Sequence, residues 1–145
     1  MKLAIVDDNK LEQELIFNTL RTYEHERNIS LDISSYSDGN SFLNTYVPGD
    51  FDLIFMDAAK GQYIHFMPDI LRLLKTGGTL VSDNVLQDGD IIESHYAVIR
   101  RNRTIYKRMR EYLYELTHRK DLVTAVLPVG DGITVSTKAV SYTHL

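Results

Sequence analysis

Two hydrophobic rhythms alternate along this chain, and they predict most of its elements. Residues 3–6 form a short apolar run that ends at Asp7, Asp8 and Asn9, residues suited to a turn and a helix cap. Leu11, Leu15, Ile16, Thr19 and Leu20 then recur at helical spacing, which predicts a helix over 10–26 with these side chains on one face. A second strand is expected at 29–36. Ser37-Asp38-Gly39-Asn40 is turn chemistry before a short helix through Phe42, Leu43 and Tyr46, which Pro48-Gly49-Asp50 breaks. The apolar run at 51–56 is the third strand, and right-handed crossovers place three such strands in the order 2-1-3.

Beyond Asp57 a helix is expected to about residue 74, bent or started late by Pro68, with Lys75-Thr76-Gly77-Gly78 as its C-cap. Residues 79–82 are strand four, closing on Asp83-Asn84. A loop with Asp88-Gly89-Asp90 leads into a long helix over 92–117, whose inward face is read as Ile99, Ile105, Met109, Tyr112 and Leu116. Strands at 122–127 and 133–136 are joined by so short a link, 128–132, that they form an antiparallel hairpin. The expected fold class is α/β: a doubly wound, Rossmann-like three-layer sandwich, six strands in the order 2-1-3-4-6-5 with the last antiparallel. Residues 1–138 are read as a single domain.

A length of 145 residues fits one domain. The absence of cysteine excludes disulfides, thiolate catalysis and zinc–thiolate sites. No apolar run reaches membrane length, and the opening run is too short for a secretory leader, so a cytoplasmic protein without a membrane partner is expected. The formal charge of -4 hides an asymmetry. Residues 1–57 hold 4 basic and 11 acidic side chains, about -7, leaving 12 basic and 9 acidic, about +3, in the remainder.

Two candidate sites share Asp57. Asp7 and Asp8 end the first strand and Asp57 the third, and in a 2-1-3 sheet these three acids would converge and need a cation, magnesium being suited. The plainer alternative is that Asp7 and Asp8 only cap the first helix. On the other side, Asp83 and Asn84 end the strand adjacent to that of Asp57. Two carboxylates and an amide oxygen suit octahedral magnesium or calcium, and Lys60 beside them could act as general base. Against this stands the reading of Asp83-Asn84 as a loop turn and Lys60 as a solvated charge.

The wording of both stretches resembles known families. IVDDNKLEQELI, followed about fifty residues later by a strand-terminal acid, resembles the receiver domain of bacterial response regulators over residues 1–57. That likeness implies magnesium on Asp7 and Asp8, phosphorylation of Asp57 and a sensor histidine kinase as partner. Ser82 could stand for the receiver hydroxyl, but no Lys-Pro dipeptide occurs. FDLIFMDAAKGQY, LLKTGGTLVSDNVLQDG and LPVGDGITVSTK resemble successive segments of the cation-dependent O-methyltransferases, the catechol and caffeoyl-coenzyme A enzymes, over residues 51–138. This likeness implies Asp57, Asp83 and Asn84 as metal ligands, Lys60 as base, and transfer of the methyl group of S-adenosylmethionine to a metal-bound hydroxyl.

RRNRTIYKRMREY carries Arg100, Arg101, Arg103 and Lys107 on a basic face that is either solvated or a phosphate-backbone contact. The chain resembles most the bacterial branch that methylates 5-hydroxyuridine in transfer RNA, so the implied substrate is tRNA or a small hydroxylated molecule. A homodimer is compatible with either. Where such a methyltransferase needs a glycine-rich turn for its cofactor, this chain has Asp7-Asp8-Asn9-Lys10 and no glycine before Gly39, which implies that the S-adenosylmethionine half is missing. Together these features read as a chimera joined within FDLIFMD, either an inactive hybrid with a cation-binding rim or a methyltransferase-like remnant. Residues 139–145 read as an unstructured, adapter-derived tail.

Overall fold

The computed structural model describes residues 2–86 and 103–139, and the chain divides between Val47 and Pro48 into two compact units. In the first, strand β1 (Lys2–Val6) lies parallel to β2 (Asp32–Tyr36), with helices α1 (Lys10–Arg27) and α2 (Gly39–Thr45) following them in turn. The polar residues after β1 cap as expected. Asn9 is the N-cap of α1, its side chain accepting from the Leu11 amide at 3.1 Å, while its own amide donates to the Asp7 carboxylate at 2.8 Å. Gln13 fastens the helix to both strand ends by donating to the carbonyls of Asp7 and Tyr36. Asn28, in the left-handed region at φ 50°, closes the helix. Asp38 caps α2 through the amide and hydroxyl of Ser41, which holds its carboxyl below the usual range.

The apolar face of α1 is left largely uncovered. The helix forms, but it buries no residue, and Leu11 and Leu15 are 77% and 68% exposed. A two-stranded sheet offers too little surface to cover an 18-residue helix. The core of this unit is instead small: Ile5, Leu31 and Tyr46 are buried, and Tyr36, Phe42 and Tyr46 pack ring against ring at 5.3–5.8 Å. Strand β2 also begins three residues later than the alternation suggests, because residues 29–31 are spent returning from the helix, where Glu24 accepts from the Leu31 amide at 2.7 Å.

The second unit is built on a four-stranded sheet in the order β3-β4-β6-β5, comprising β3 (Phe51–Met56), β4 (Leu74–Ser82), β5 (Leu122–Leu127) and β6 (Ile133–Lys138). β3 and β4 are parallel, and β6 runs antiparallel to both of its neighbours. The α/β class, the runs 2-1 and 3-4-6-5, the terminal hairpin and the antiparallel last strand are as the sequence predicts. Helices α3 (Tyr63–Leu73) and α4 (Arg103–His118) supply the rest of the core, where Tyr63, Met67, Leu71, Met109, Tyr112 and Leu116 meet Met56, Leu80 and Val85 from the sheet side. Burying an aromatic or aliphatic side chain of this kind stabilises by about 1.5–3 kcal/mol.

Two boundaries and one helix face differ from expectation. α3 starts only at Tyr63, after a 3-10 turn (Lys60–Gln62), and accommodates Pro68 within its length. Lys75-Thr76-Gly77-Gly78 belongs to β4 and is not a helix cap: α3 ends at Leu73, and its last carbonyls are taken by the Lys138 ammonium, which donates to Leu71 at 2.6 Å and Leu74 at 2.8 Å. Gly78 is needed there, since a Cβ would lie 2.9 Å from both the Leu74 side chain and the Lys75 carbonyl oxygen. On α4 the inward face runs through Tyr106, not Ile105, which is 40% exposed. The start of the expected long helix and Ile99 lie outside the described residues, as does the tail from residue 140 onward, whereas Ala139 donates to the Asp121 carbonyl at 2.9 Å.

Candidate functional site

Parallel pairing of β3 with β4 sets the candidate site. Met56 lies opposite Ser82, so the next residues, Asp57 and Asp83, leave adjacent strand ends, and the Asp83 amide donates to the Met56 carbonyl at 3.1 Å. Asn84 follows in the left-handed region at φ 54°, a conformation asparagine tolerates better than most residues. Its amide group reaches back to the Asp57 carboxylate at 3.4 Å. Asp57 is exposed, and Asp83 and Asn84 are half-buried. The structure therefore brings together three of the four residues expected in the second site. Lys60 opens the 3-10 turn that follows, and its side chain lies outside the described atoms.

Several supports were not read from the sequence. Tyr63, fully buried, places its hydroxyl between the two strand ends: it accepts from the Ala58 amide at 3.2 Å and donates to the Asp83 carbonyl at 3.0 Å. Burial, joined by the charges of Asp57 and Asp83, pushes its phenol above the usual range, so it stays protonated. The Tyr112 ring meets it edge to face at 5.3 Å, and the Tyr112 hydroxyl pairs with Ser82 at 2.6 Å. Arg108 of α4 donates to the Gly61 carbonyl at 3.2 Å and so fastens the turn that carries Lys60. The hairpin tip closes the far side: Val85 donates to the Gly132 carbonyl at 3.0 Å and Leu86 to that of Asp131 at 2.8 Å. Tyr63 stands at the end of the quoted FDLIFMDAAKGQY motif, but nothing in its spacing reveals a hydroxyl shared between strands.

As a donor set, Asp57, Asp83 and Asn84 offer two carboxylates and an amide oxygen, which the Asn84 side chain presents when its amide is turned end for end. Hard oxygen ligands that leave room for water suit magnesium. Among the described residues there is no cluster of three or more His, Asp or Glu side chains that could hold a metal. Asp7 is half-buried and committed to the Asn9 turn, while Asp8 is exposed. Of the basic stretch, Arg100 and Arg101 lie outside the described residues and Arg103 heads α4. Lys107 pairs with Glu111 at 3.8 Å, and Arg110 donates to the Tyr106 hydroxyl at 2.5 Å. No described helix is long and apolar enough to cross a membrane.

Comparison with known proteins follows the same lines. Caffeoyl-CoA O-methyltransferase 1 of Eucalyptus globulus is 34% identical over 91 residues, which is 60% of this chain and 36% of that protein. The chain thus spans little more than a third of the length of the curated relatives it matches. A solved protein from Corynebacterium glutamicum shares the fold with a TM-score of 0.75 at 21% identity, over 99% of this chain and 63% of that one. An O-methyltransferase from Bacillus cereus, solved in complex with SAH, does so at 0.66 and 17%, over 94% and 62%. A family model described as O-methyltransferase matches residues 2–139, running through the receiver-like segment as well as the methyltransferase-like one, and none of these comparisons supports a receiver or a seam. With a match over nearly its whole length, the chain belongs to the O-methyltransferase family.

Proposed function

We propose that this chain is a divalent-cation-dependent O-methyltransferase domain that presents a small hydroxylated substrate at Asp57, Asp83 and Asn84, with Lys60 as general base and S-adenosylmethionine as methyl donor. The observation that supports it most is the meeting of two carboxylates and an amide on adjacent ends of β3 and β4, in a chain of this family. A cation held there would lower the pKa of a coordinated hydroxyl and orient its oxygen. The protein supplies the negative charge through Asp57 and Asp83, fixes their loops through Tyr63, and fastens the Lys60 turn through Arg108. Lys60 is assigned the hydroxyl proton.

The methyl donor fits this chain less well. The turn after β1 has no glycine, the Asp7 carboxylate and carbonyl are engaged by Asn9 and Gln13, and two acids there repel a methionyl carboxylate. Weak donor binding is part of the proposal. Among substrates, a small hydroxylated molecule is favoured over transfer RNA, because Arg108 and Arg110 donate to the Gly61 carbonyl and the Tyr106 hydroxyl. Titration calorimetry with Mg2+ and Mn2+ tests the reading. One binding event is expected, weakened about 10-fold or more in Asp83→Asn. Methyl transfer from labelled S-adenosylmethionine to a catechol-type acceptor should be abolished by EDTA. The absence of any cation heat, or transfer indifferent to the chelator, overturns the proposal.

A further inference from the structure

The ladder between β3 and β4 makes its last backbone bond where Asp83 donates to Met56 at 3.1 Å. Past that point, among the described residues, the two segments that carry the candidate ligands make no backbone bond to one another. Beside the longer contact of the Asn84 amide with the Asp57 carboxylate at 3.4 Å, one buried side-chain atom bridges the two backbones. The Tyr63 hydroxyl accepts from Ala58, next to Asp57, and donates to the carbonyl of Asp83 itself. Its ring is fully buried among core residues and braced edge to face by Tyr112, so the hydroxyl cannot swing away without opening the core. From this we infer that Tyr63 is a positioning residue: its hydroxyl locks the spacing of the Asp57 and Asp83 loops and thereby sets the affinity of the site for a divalent cation.

The inference rests on the cation reading above and adds to it a residue that touches neither cation nor substrate. Hydrogen bonds that orient ligand-bearing segments typically matter about 10–100-fold in metal affinity. Tyr112 supplies the control. It is equally buried and loses one hydroxyl bond when changed to phenylalanine, against two for Tyr63, but its partner is the Ser82 hydroxyl inside the sheet and it joins no two loops.

The test is Mn2+ titration of the whole chain, its Tyr63→Phe variant and its Tyr112→Phe variant, followed by calorimetry and by the electron paramagnetic resonance signal of free Mn2+. Both variants keep their rings, and circular dichroism with thermal melts establishes that each is folded at the titration temperature. Expected is about a 10-fold loss of affinity in Tyr63→Phe and a change within about 2-fold in Tyr112→Phe, although both lower the melting temperature. Unchanged affinity in Tyr63→Phe, or an equal loss in both variants, overturns the positioning role while leaving the cation site standing. If the unaltered chain binds no Mn2+, the cation reading falls and this inference with it.

Discussion

At the scale of single residues, the described core of the second unit contains a polar atom whose energetics are unfavourable. Thr134 is fully buried on β6, opposite Ser82, and its hydroxyl has no hydrogen-bond partner among the described residues. Its neighbours solve the same problem: Ser82 pairs with Tyr112, and Ser136 pairs hydroxyl to hydroxyl with Thr124, whose own proton goes to the Leu116 carbonyl. A buried hydroxyl left unpaired costs about 1–3 kcal/mol. Thr134→Val keeps the shape and removes the polar atom, so urea denaturation should show the variant more stable by about 1 kcal/mol. A loss of similar size would show that the hydroxyl is bonded after all.

At the scale of elements, the hairpin joining β5 to β6 does more than reverse the chain. Its tip lies against the segment after Asn84, and Gly132, at φ 86°, allows the approach. A Cβ at Gly132 would fall 2.2 Å from the Leu86 side-chain branch point. Gly132→Ala therefore combines left-handed strain of about 1–2 kcal/mol with overpacking of about 1–3 kcal/mol. The expected loss of about 2–5 kcal/mol can be read from chemical unfolding; a loss below about 0.5 kcal/mol would show that the tip is not clamped. The hairpin itself was legible, since Pro128 to Gly132 is turn chemistry between two β-branched runs. The place of Asp57 and Asp83 at adjacent strand ends was legible too, because strand ends in a parallel sheet line up and the carboxylates close the apolar runs. What was not legible depends on tertiary partners. α1 shows a helical period that predicts burial, but a two-stranded sheet cannot supply it; Lys75 to Gly78 looks like a helix stop, but Lys138, distant in sequence, caps α3 and leaves those residues to the strand.

For the whole molecule, the shifted groups set a pH window. Glu24 is lowered by the Leu31 amide and Arg21, Asp38 by Ser41, and Asp121 by Arg119, all relative to ordinary values of 4.5 and 3.8. A carboxyl lowered in the folded state stabilises the fold above its unfolded pKa, and that contribution is lost as pH falls through the folded value. The phenols of Tyr46, Tyr63 and Tyr112 are raised, first of all by burial. Their contribution is present below the unfolded value of 10.0 and is lost as pH rises through the folded values. Thermal melts across pH should show a plateau bounded by an acid limb below about pH 4 and an alkaline limb above about pH 10, the latter shallower in Tyr112→Phe. A melting temperature flat between pH 9 and pH 11 would contradict it. The bonds from Val85 and Leu86 to the hairpin tip have a dynamic corollary. These two amides can exchange hydrogen with solvent only when the tip lifts from the strand end beside it, so their exchange rates report how often the floor of the candidate site comes apart.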